Sequence, residues 1–230
     1  MTLSIIIPVL NDAASLALLL DDLTPARFSA TGLEIIVVDG GSTDDPQQVS
    51  ASRGVVCTAS ARGRGEQLAA GIAASQGDVI WMLHADTRLD AAEVVRVAAV
   101  RAGWGRCRLR FDPPLPGMRM VAFFMEWRSR LSSICTGDQG IFTTRQCLLE
   151  AGGMPSQPLM EDIELSRRLK RISRPKIAAV QLSTSPRRWQ KAGLWRTIVF
   201  MWSMRLRYWL GAPPDELMTA YSEGPEMRRE

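Results

Sequence analysis

The chain has 230 residues, 46% of them hydrophobic and 23% charged, which is enough to bury one large α/β core. Its four cysteines form no CxxC pair and no metal-ligand spacing, so we expect reduced thiols in a cytosolic protein rather than a cysteine metal site. No stretch of about 18 residues is free of charge and the start lacks a basic segment, so neither a membrane-spanning helix nor a signal peptide is expected.

Charge is distributed unevenly along the chain. Residues 1–100 contain 6 Arg or Lys and 12 Asp or Glu, a net charge of −6, whereas residues 101–230 contain 22 and 12, a net charge of +10. Only three of the 28 basic residues are lysines, and arginine is the better planar partner for phosphate and carboxylate groups. The basic half therefore fits an anionic ligand or membrane surface, and nucleic acid ranks lowest because no nucleic-acid-binding motif is visible.

The first predicted element is a buried strand at residues 4–9 (SIIIPV), with Pro8 near its end, where a missing N–H costs least. Asn11 and Asp12 follow the strand, and either is a natural N-cap for the next helix. That helix has an apolar face formed by leucines at positions 16, 19, 20 and 23.

Residues 34–39 (EIIVVD) predict a second strand that runs into a Gly/Ser/Thr/Asp turn. We expect Asp39 at the carboxyl end of this strand, able to accept hydrogen bonds from a ribose or base. Gly40 and Gly41 would let the backbone approach a ligand closely. The plain alternative is a tight turn in which Ser42, Thr43 or Asp44 caps the next helix.

A third, short strand is predicted at residues 55–58, followed by a basic glycine loop, ARGRGEQ, and a helix that ends near residue 75. The loop does not match GxGxxG, because position 68 is Leu, and the chain contains no GxxxxGK[ST]. A basic loop before a helix N-terminus suits an anion, so Arg62 or Arg64 could contact a diphosphate. Simple solvent exposure of either arginine is the alternative.

The central stretch is residues 79–86 (VIWMLHAD), whose unbroken apolar run predicts a strand buried on both faces, as in a parallel sheet. Asp86 then falls just past the carboxyl end, where open α/β sheets bind ligands. A carboxylate there, beside His84, can seat a divalent metal that carries a diphosphate. Alternatively, Asp86 caps a helix that starts near Asp90, or simply ends the strand.

The basic half begins with a predicted half-exposed antiparallel strand at residues 103–111. The next predicted helix, at residues 118–133, is rich in aromatic residues, which belong to the core or line an acceptor groove. In the segment EDIELSRRL, Glu161 and Asp162 either complement the dipole of a helix or supply a general base beside an acceptor. Further elements are predicted as helices at residues 90–101, 118–133 and 146–151, and as strands after Gly140 and at residues 176–180.

Residues 191–210 predict one long helix in which Trp195, Trp202 and Trp209 repeat every seven residues. Arginines edge this apolar stripe. Such a stripe is more often core or a dimer face, and an interfacial membrane helix is the less favoured interpretation.

Taken together, SIIIPVLND, EIIVVDGGSTDD, VIWMLHADTRL, GDQGIF, GGMP and MEDIELSRRL resemble a family 2 glycosyltransferase of the GT-A fold, in order over about residues 2–190. The resemblance is closest to the arsenosugar-biosynthesis, or radical-SAM/selenodomain-associated, transferase subgroup. It implies an α/β fold with a Rossmann-like, mostly parallel sheet flanked by helices. Residues 1–190 would form the nucleotide-sugar-binding and catalytic domain, and residues 191–230 an amphipathic helical extension packed on it.

The resemblance also implies an inverting transfer from a nucleoside-diphosphate sugar to a hydroxyl. The family's DxD motif aligns with residues 84–86, which makes Asp86 the ligand of Mn²⁺ or Mg²⁺, although His84 replaces the first aspartate. Asp162 matches the catalytic base, with Glu161 beside it, and Asp138 and Gln139 would lie near the acceptor. The nucleotide-sugar site is expected to comprise Pro8, Asn11, Asp39, Gly41, Arg64, Gln67, His84 and Ala85.

The expected partners are a UDP-sugar and a small-molecule or lipid acceptor, without nucleic acid. Homodimer formation and peripheral contact with the inner membrane face through residues 191–210 stay open for this cytoplasmic protein. A nucleotidyltransferase of related fold is the first alternative, but its glycine-rich N-terminal loop with a basic residue is absent, since Asn11 and Asp12 follow the first strand. The second alternative is a non-catalytic binding protein docked on a membrane.

Overall fold

The structure of the protein, a computed structural model, describes residues 2–29 and 32–224, without the side chains of residues 27–29 and 188. The last six residues of the predicted C-terminal extension thus lie outside the described residues. The strands are β1 (Leu3–Val9), β2 (Leu33–Asp39), β3 (Val56–Ala59), β4 (Val79–Met82), β5 (Thr87–Arg88), β6 (Trp104–Phe111), β7 (Phe142–Thr144) and β8 (Lys176–Thr184). The helices are α1 (Ala13–Ser29), α2 (Pro46–Ala51), α3 (Arg64–Ala74), α4 (Ala91–Ala98), α5 (Met118–Ser132), α6 (Arg145–Glu150), α7 (Glu161–Ile172), α8 (Arg187–Ala192), α9 (Leu194–Trp209) and α10 (Pro214–Ser222).

The strands form one sheet in the order β3-β2-β1-β4-β7-β6-β8-β5. The first four neighbours are parallel, which brings the carboxyl ends of β2, β1 and β4 to one edge. Strand β7 runs antiparallel to β4 and β6, and β6 runs parallel to β8. The sheet is therefore mostly parallel on the side that carries the predicted site.

Both faces of the sheet are covered, as the unbroken apolar runs of β1 and β4 require. The alternation of side chains sends Ile5 and Ile7 to a cluster with the leucines of α1 and with Val94 of α4. It sends Ile6 to a second cluster that contains Leu68 of α3 and Leu165 of α7. Hydrophobic burial on the two faces thus fixes the sheet that positions the site.

Three elements differ from the sequence expectation. Strand β6 is buried over its first half, where Arg106, 1% exposed, is neutralised by Glu126 at 2.5 Å. The strand pairs with β7 in antiparallel fashion and with β8 in parallel. The helix predicted at residues 191–210 is present as α9 from Leu194 to Trp209, but its first residues belong to α8, which Gly193, with a φ of 84°, separates from α9. Helix α10 was not anticipated.

Helix capping also differs from the expectation. Asp12 precedes α1, but the backbone N–H of Ala13 donates to Oδ2 of Asp44 at 2.8 Å. The cap of α2 is Asp45, and the cap of α4 is Asp90, whose side chain accepts from Ala92 N–H at 3.0 Å. Asp86 is therefore not the cap of α4.

The C-terminal helices pack on the rest of the molecule through two apolar clusters. Met204 of α9 and Leu217 of α10 contact Met160, which precedes α7. Leu194 and Ile198 at the start of α9 pack with Met118 and Val121 of α5. Among residues 2–29 and 32–224, no helix combines the length and apolar character needed to cross a membrane.

Candidate functional site

Asp39 ends β2 at the carboxyl edge of the sheet and organises the turn that follows. Its Oδ1 accepts from the backbone N–H groups of Gly41 at 3.2 Å and Ser42 at 2.9 Å, and from the Ser42 hydroxyl at 2.6 Å. All three recorded bonds end on Oδ1, so the carboxylate is held with a fixed orientation at the strand end.

The neighbouring loop after β1 is locked to this turn. Asn11 has a φ of 51°; its N–H donates to the Ser42 hydroxyl at 3.0 Å, and its Oδ1 accepts from Thr43 N–H at 2.9 Å. Gly41 has a φ of 92°, and a Cβ placed there would meet no atom within 4 Å. The backbone at Gly41 is thus open to close approach by a ligand.

Gln67 has a structural position rather than an exposed one. It is 3% exposed, and its Nε2 donates to the carbonyls of Val9 at 2.7 Å and Val38 at 2.8 Å, where β1 and β2 end. Its amide ties the two strand ends together, and at Val9 it adds a second donor to a carbonyl that also accepts from the N–H of Gly40 at 3.1 Å. The sequence predicts that Gln67 contacts the nucleotide sugar. Its buried position instead favours an indirect role, in which Gln67 supports the strand ends beside the site.

A charged network links the end of β4 to the start of α7. Arg64 of α3 forms an ion pair with Glu161 through Nε and lies 3.3 Å from Oδ2 of Asp162 through Nη2. Its Nη1 lies 3.0 Å from Nε2 of His84. Because a guanidinium nitrogen only donates, Nε2 accepts and the ring proton lies on Nδ1. Asp162 accepts from the N–H of Gly137 at 2.8 Å.

The two acids of this network have opposite pKa shifts. Burial raises the pKa of Glu161, which is 1% exposed, and Arg64 only partly opposes this. Burial also acts on Asp162, but the Arg64 charge and the Gly137 N–H outweigh it and lower the pKa of that carboxyl. Asp162 is therefore the more readily ionised carboxyl of the pair, and a general base must be ionised.

Asp86 lies in the turn between β4 and β5, at the same edge as Asp39. Its Oδ2 accepts from the Thr184 hydroxyl at 3.3 Å. Arg187 lies nearby: its hydrogen bonds to Asp12, at 2.9 Å for the shorter, raise the pKa of Arg187, and the charge of Asp86 adds to the effect. Arg187 thus brings the start of α8 to the edge where β1 and β4 end.

The donor set at this edge fits a divalent metal that arrives with a diphosphate. In the described part of the chain, no three His, Cys, Asp or Glu side chains are grouped so that they could hold a metal by themselves. Mg²⁺ and related hard cations are commonly bound by one or two carboxylates together with substrate phosphates. One carboxylate at the strand end, that of Asp86, meets this requirement.

The other predicted residues lie near the same edge. Pro8 and His84 line a small cavity together with Arg64, Glu161 and Asp162. Ala85, which is 7% exposed, can offer a ligand little beyond its backbone. The structure therefore brings the nucleotide-side and base-side residues to one region of the sheet.

The two predicted acceptor residues differ from each other. Asp138 has a buried Oδ1 without a hydrogen-bond partner among the described residues. Gln139 is 1% exposed; its Oε1 accepts from Thr136 N–H at 3.1 Å and its Nε2 donates to the Ser129 hydroxyl at 3.2 Å. Gln139 therefore holds the loop in place, whereas Oδ1 of Asp138 makes no such bond within the described residues.

Sequence reasoning missed three arginines near the site. Arg187 has no assigned role in the sequence analysis, and its pairing with Asp12 is not predicted there. Arg128 and Arg205 have none either, although the charge of Arg205 helps to lower the pKa of Asp162, and Asp162 in turn acts on the pKa of Arg128. The excess of arginine over lysine in the basic half was the available signal, but it does not identify positions.

The match to a family model covers the N-terminal part of the chain. Residues 4–99 match the model described as Glycosyl transferase family 2. Glucosyl-3-phosphoglycerate synthase from Mycobacterium tuberculosis is 32% identical over 94 residues, which cover 37% of this chain and 29% of the relative. The protein of the same name from Mycobacterium bovis gives the same values. The match thus spans less than a third of the length of these relatives.

Solved structures extend the likeness to the rest of the fold. The M. tuberculosis synthase in complex with Mg²⁺ and UDP has a TM-score of 0.59 at 20% identity, covering 92% of this chain and 80% of that one. S. aureus TarS 1–349 has a TM-score of 0.61 at 14% identity, covering 81% and 61%. The chain has the GT-A fold of glycosyltransferases, and its residues 4–99 match glycosyltransferase family 2.

Proposed function

We propose that this protein is a metal-dependent, inverting glycosyltransferase that moves a sugar from a nucleoside-diphosphate sugar to a hydroxyl acceptor. The observation that carries the proposal is that Asp39, Asp86 and Asp162, far apart in sequence, all lie at or beside the carboxyl edge of one sheet. Open α/β sheets bind ligands at this edge.

The nucleoside side of the proposed site is the turn after β2. The fixed Asp39 carboxylate accepts hydrogen bonds from the ribose or base, and the open backbone at Gly41 allows close approach. Asp86, which lies at the same edge, would bind the metal ion that carries the diphosphate of the donor. The metal, Mn²⁺ or Mg²⁺, supplies neutralisation of the charge that develops on the leaving diphosphate.

The base side of the proposed site is Asp162. In one displacement, the acceptor oxygen bonds to the anomeric carbon as the bond from that carbon to the diphosphate breaks. The hydroxyl proton passes to Asp162, whose pKa is lowered and which is therefore ionised at neutral pH. Arg64 and the Gly137 N–H hold this carboxylate in place, and Glu161 fixes Arg64.

The relatives support the choice of donor. The M. tuberculosis synthase is described in complex with Mn²⁺, UDP-glucose and phosphoglyceric acid. We infer from this likeness that the donor is a UDP-sugar, while the identity of the acceptor stays open. We retain the resemblance to the arsenosugar-biosynthesis subgroup, and the division of the chain near residue 190, as parts of the proposal.

Peripheral contact with a membrane through α9 is a further part of the proposal. Trp195, Val199, Trp202, Leu206 and Trp209 lie along one stripe of the helix and are each more than half exposed. Neighbouring arginines suit an anionic lipid surface, as interfacial helices do. Binding to anionic liposomes, lost in a Trp202→Ser variant, would support this contact. Absence of binding would leave a dimer face as the explanation of the stripe.

The experiment that tests the function combines a thermal-shift panel with product analysis. UDP-, GDP- and dTDP-sugars are added with and without Mn²⁺, and we expect a UDP-sugar to raise the melting temperature most when Mn²⁺ is present. Turnover of that sugar should release UDP. Release of inorganic diphosphate from UTP and a sugar 1-phosphate, without release of UDP from the UDP-sugar, would favour a nucleotidyltransferase. Liposome binding without any turnover would favour the non-catalytic protein.

A further inference from the structure

Arg128 of α5 lies one loop away from the proposed base. Its Nη1 donates to the carbonyl of Ile134 at 3.3 Å and its Nη2 to the hydroxyl of Thr136 at 3.5 Å. The next residue after Thr136 is Gly137, whose N–H donates to Asp162. Arg128 therefore braces the loop that carries the acceptor-side Asp138.

Arg205 of α9 lies in the same region of the molecule. Its neighbour Met204 packs against Met160, directly before Glu161 at the start of α7. The charge of Arg205 contributes to the lowered pKa of Asp162, so the guanidinium and that carboxylate are close. Two arginines from two different helices thus flank the acceptor side of the base.

Arg128 and Arg205 each keep a hydrogen-bond donor without a partner among the described residues. The Nε atoms of Arg128 and Arg205 are buried and have no hydrogen-bond partner within the described residues, and the same holds for Oδ1 of Asp138. By contrast, Arg64 is engaged by Glu161 and Asp162. A buried donor without a partner is costly, and so are two neighbouring like charges.

The lowered pKa of Arg128 shows that its buried charge is unfavourable next to Arg205. Burial, with the charge of Arg205 added to it, lowers the pKa of Arg128 to about 10, although Asp138 and Asp162 act in the opposite direction. The nearby carboxylates therefore do not fully compensate the burial of Arg128 beside a second positive charge. An external anion between them would do so, since planar guanidinium groups bind phosphate and carboxylate oxygens well.

We propose that Arg128 and Arg205 form a subsite for an anionic group, a phosphate or carboxylate, on the acceptor, and that Oδ1 of Asp138 accepts from a hydroxyl of the same molecule. The inference rests on the proposed function, because the subsite is defined by its place beside the base Asp162. It restricts the acceptor class: the molecule that receives the sugar is an anionic hydroxyl compound.

Inorganic phosphate is the probe for this subsite. Calorimetric titration at constant ionic strength should show saturable binding to the full chain, weakened at least about tenfold in Arg128→Gln and in Arg205→Gln, because each removes a charged hydrogen-bond donor. Arg119→Gln on α5 and Arg196→Gln on α9 remove exposed arginines of the same helices and should bind phosphate as the wild type does. If the wild type does not bind phosphate, or Arg205→Gln matches the controls, the subsite is wrong.

A folding defect does not obscure this test. Arg205 makes no hydrogen bond recorded within the described part of the chain, so its replacement is the safer variant should Arg128→Gln unfold. Titration of the same samples with UDP and Mn²⁺ reports on the donor site separately. UDP binding without phosphate binding refutes the subsite alone, whereas failure to bind UDP refutes the proposed function.

Competition identifies the source of the anionic group. The phosphate titration is repeated with 3-phosphoglycerate, and separately with phosphatidylglycerol vesicles against phosphatidylcholine vesicles as a control. Displacement by 3-phosphoglycerate assigns a soluble acceptor, and displacement by the anionic vesicles alone assigns a lipid headgroup. Displacement by neither means that the site admits only the free ion, which overturns the acceptor assignment.

Discussion

Replacement of Asp162 by Asn is the perturbation that bears most directly on catalysis. Asp162 uses both carboxylate oxygens: Oδ2 accepts from Gly137 N–H and Oδ1 from Ile163 N–H, each at 2.8 Å. An amide has only one acceptor oxygen, so one N–H group would face an NH₂ group. Loss of a general base typically slows a reaction by about 10²–10⁴-fold, which corresponds to about 3–5 kcal/mol of transition-state stabilisation.

The same substitution has a predictable effect on stability. The unpaired N–H costs about 1–3 kcal/mol, and a chain of this size loses about 2–4 °C in melting temperature per kcal/mol. The lowered pKa of Asp162 adds a contribution that is present above the unfolded pKa near 3.8 and is lost as the pH falls through the folded value. Asp162→Asn abolishes it, so the variant should differ from the wild type most at neutral pH.

The assay is UDP release from the sugar nucleotide that gives the largest thermal shift, combined with UDP titration of the same samples. Glu164→Gln is the matched control: it removes a carboxylate from the same helical turn, where Glu164 pairs with Arg167 and Arg168 at 2.9 Å. We expect Asp162→Asn to lose turnover but bind UDP, and Glu164→Gln to keep both. Near-normal UDP release by Asp162→Asn would refute the assignment of the base.

Asp86→Ala should reduce the calorimetric affinity for UDP to its metal-free level, and an unchanged affinity in Mn²⁺ would remove the metal role. Its control, Asp90→Ala, loses only the cap of α4, so it should cost about 0.5–2 kcal/mol of stability and leave the metal dependence intact. Asp39→Asn keeps the turn-forming Oδ1 but removes the charge, so UDP binding should weaken about tenfold while the melting temperature holds; equal binding would exclude Asp39 from the site. Gln67→Ala removes two buried hydrogen bonds that join the ends of β1 and β2, so thermal unfolding should occur a few degrees lower, at about 0.5–1.5 kcal/mol per lost hydrogen bond; an unchanged melting temperature would contradict its structural role.

The fold around the site was predictable because its signals are local. The unbroken apolar run that precedes Asp86 is typical of a strand covered on both faces, and the same holds for β1. Parallel strands place their carboxyl ends at one edge, so the positions of Asp39 and Asp86 follow from the order of the elements. Gly193 was also visible in the sequence, but the tryptophan repeat that begins two residues after it suggested a helix that already runs through residues 191–193.

The roles of the buried polar residues could not be predicted, because they depend on partners far away in sequence. Gln67 and Gln139 lie in glycine-containing segments typical of ligand loops, yet their amides satisfy backbone and side-chain groups inside the protein. Arg128 and Arg205 lie on two separate helices, and no local pattern relates them. Only the packing of α9 beside the start of α7 brings these two arginines to the acceptor side of Asp162.

The central claim is that the carboxyl edge of β1, β2 and β4 is a metal-dependent nucleotide site. Calorimetric titration of the wild type with UDP, in Mn²⁺ and again in a chelator, tests it most directly. We predict saturable one-to-one binding in Mn²⁺ that weakens strongly when the metal is removed. Failure to bind UDP in either condition, or equal affinity in both, would contradict the account.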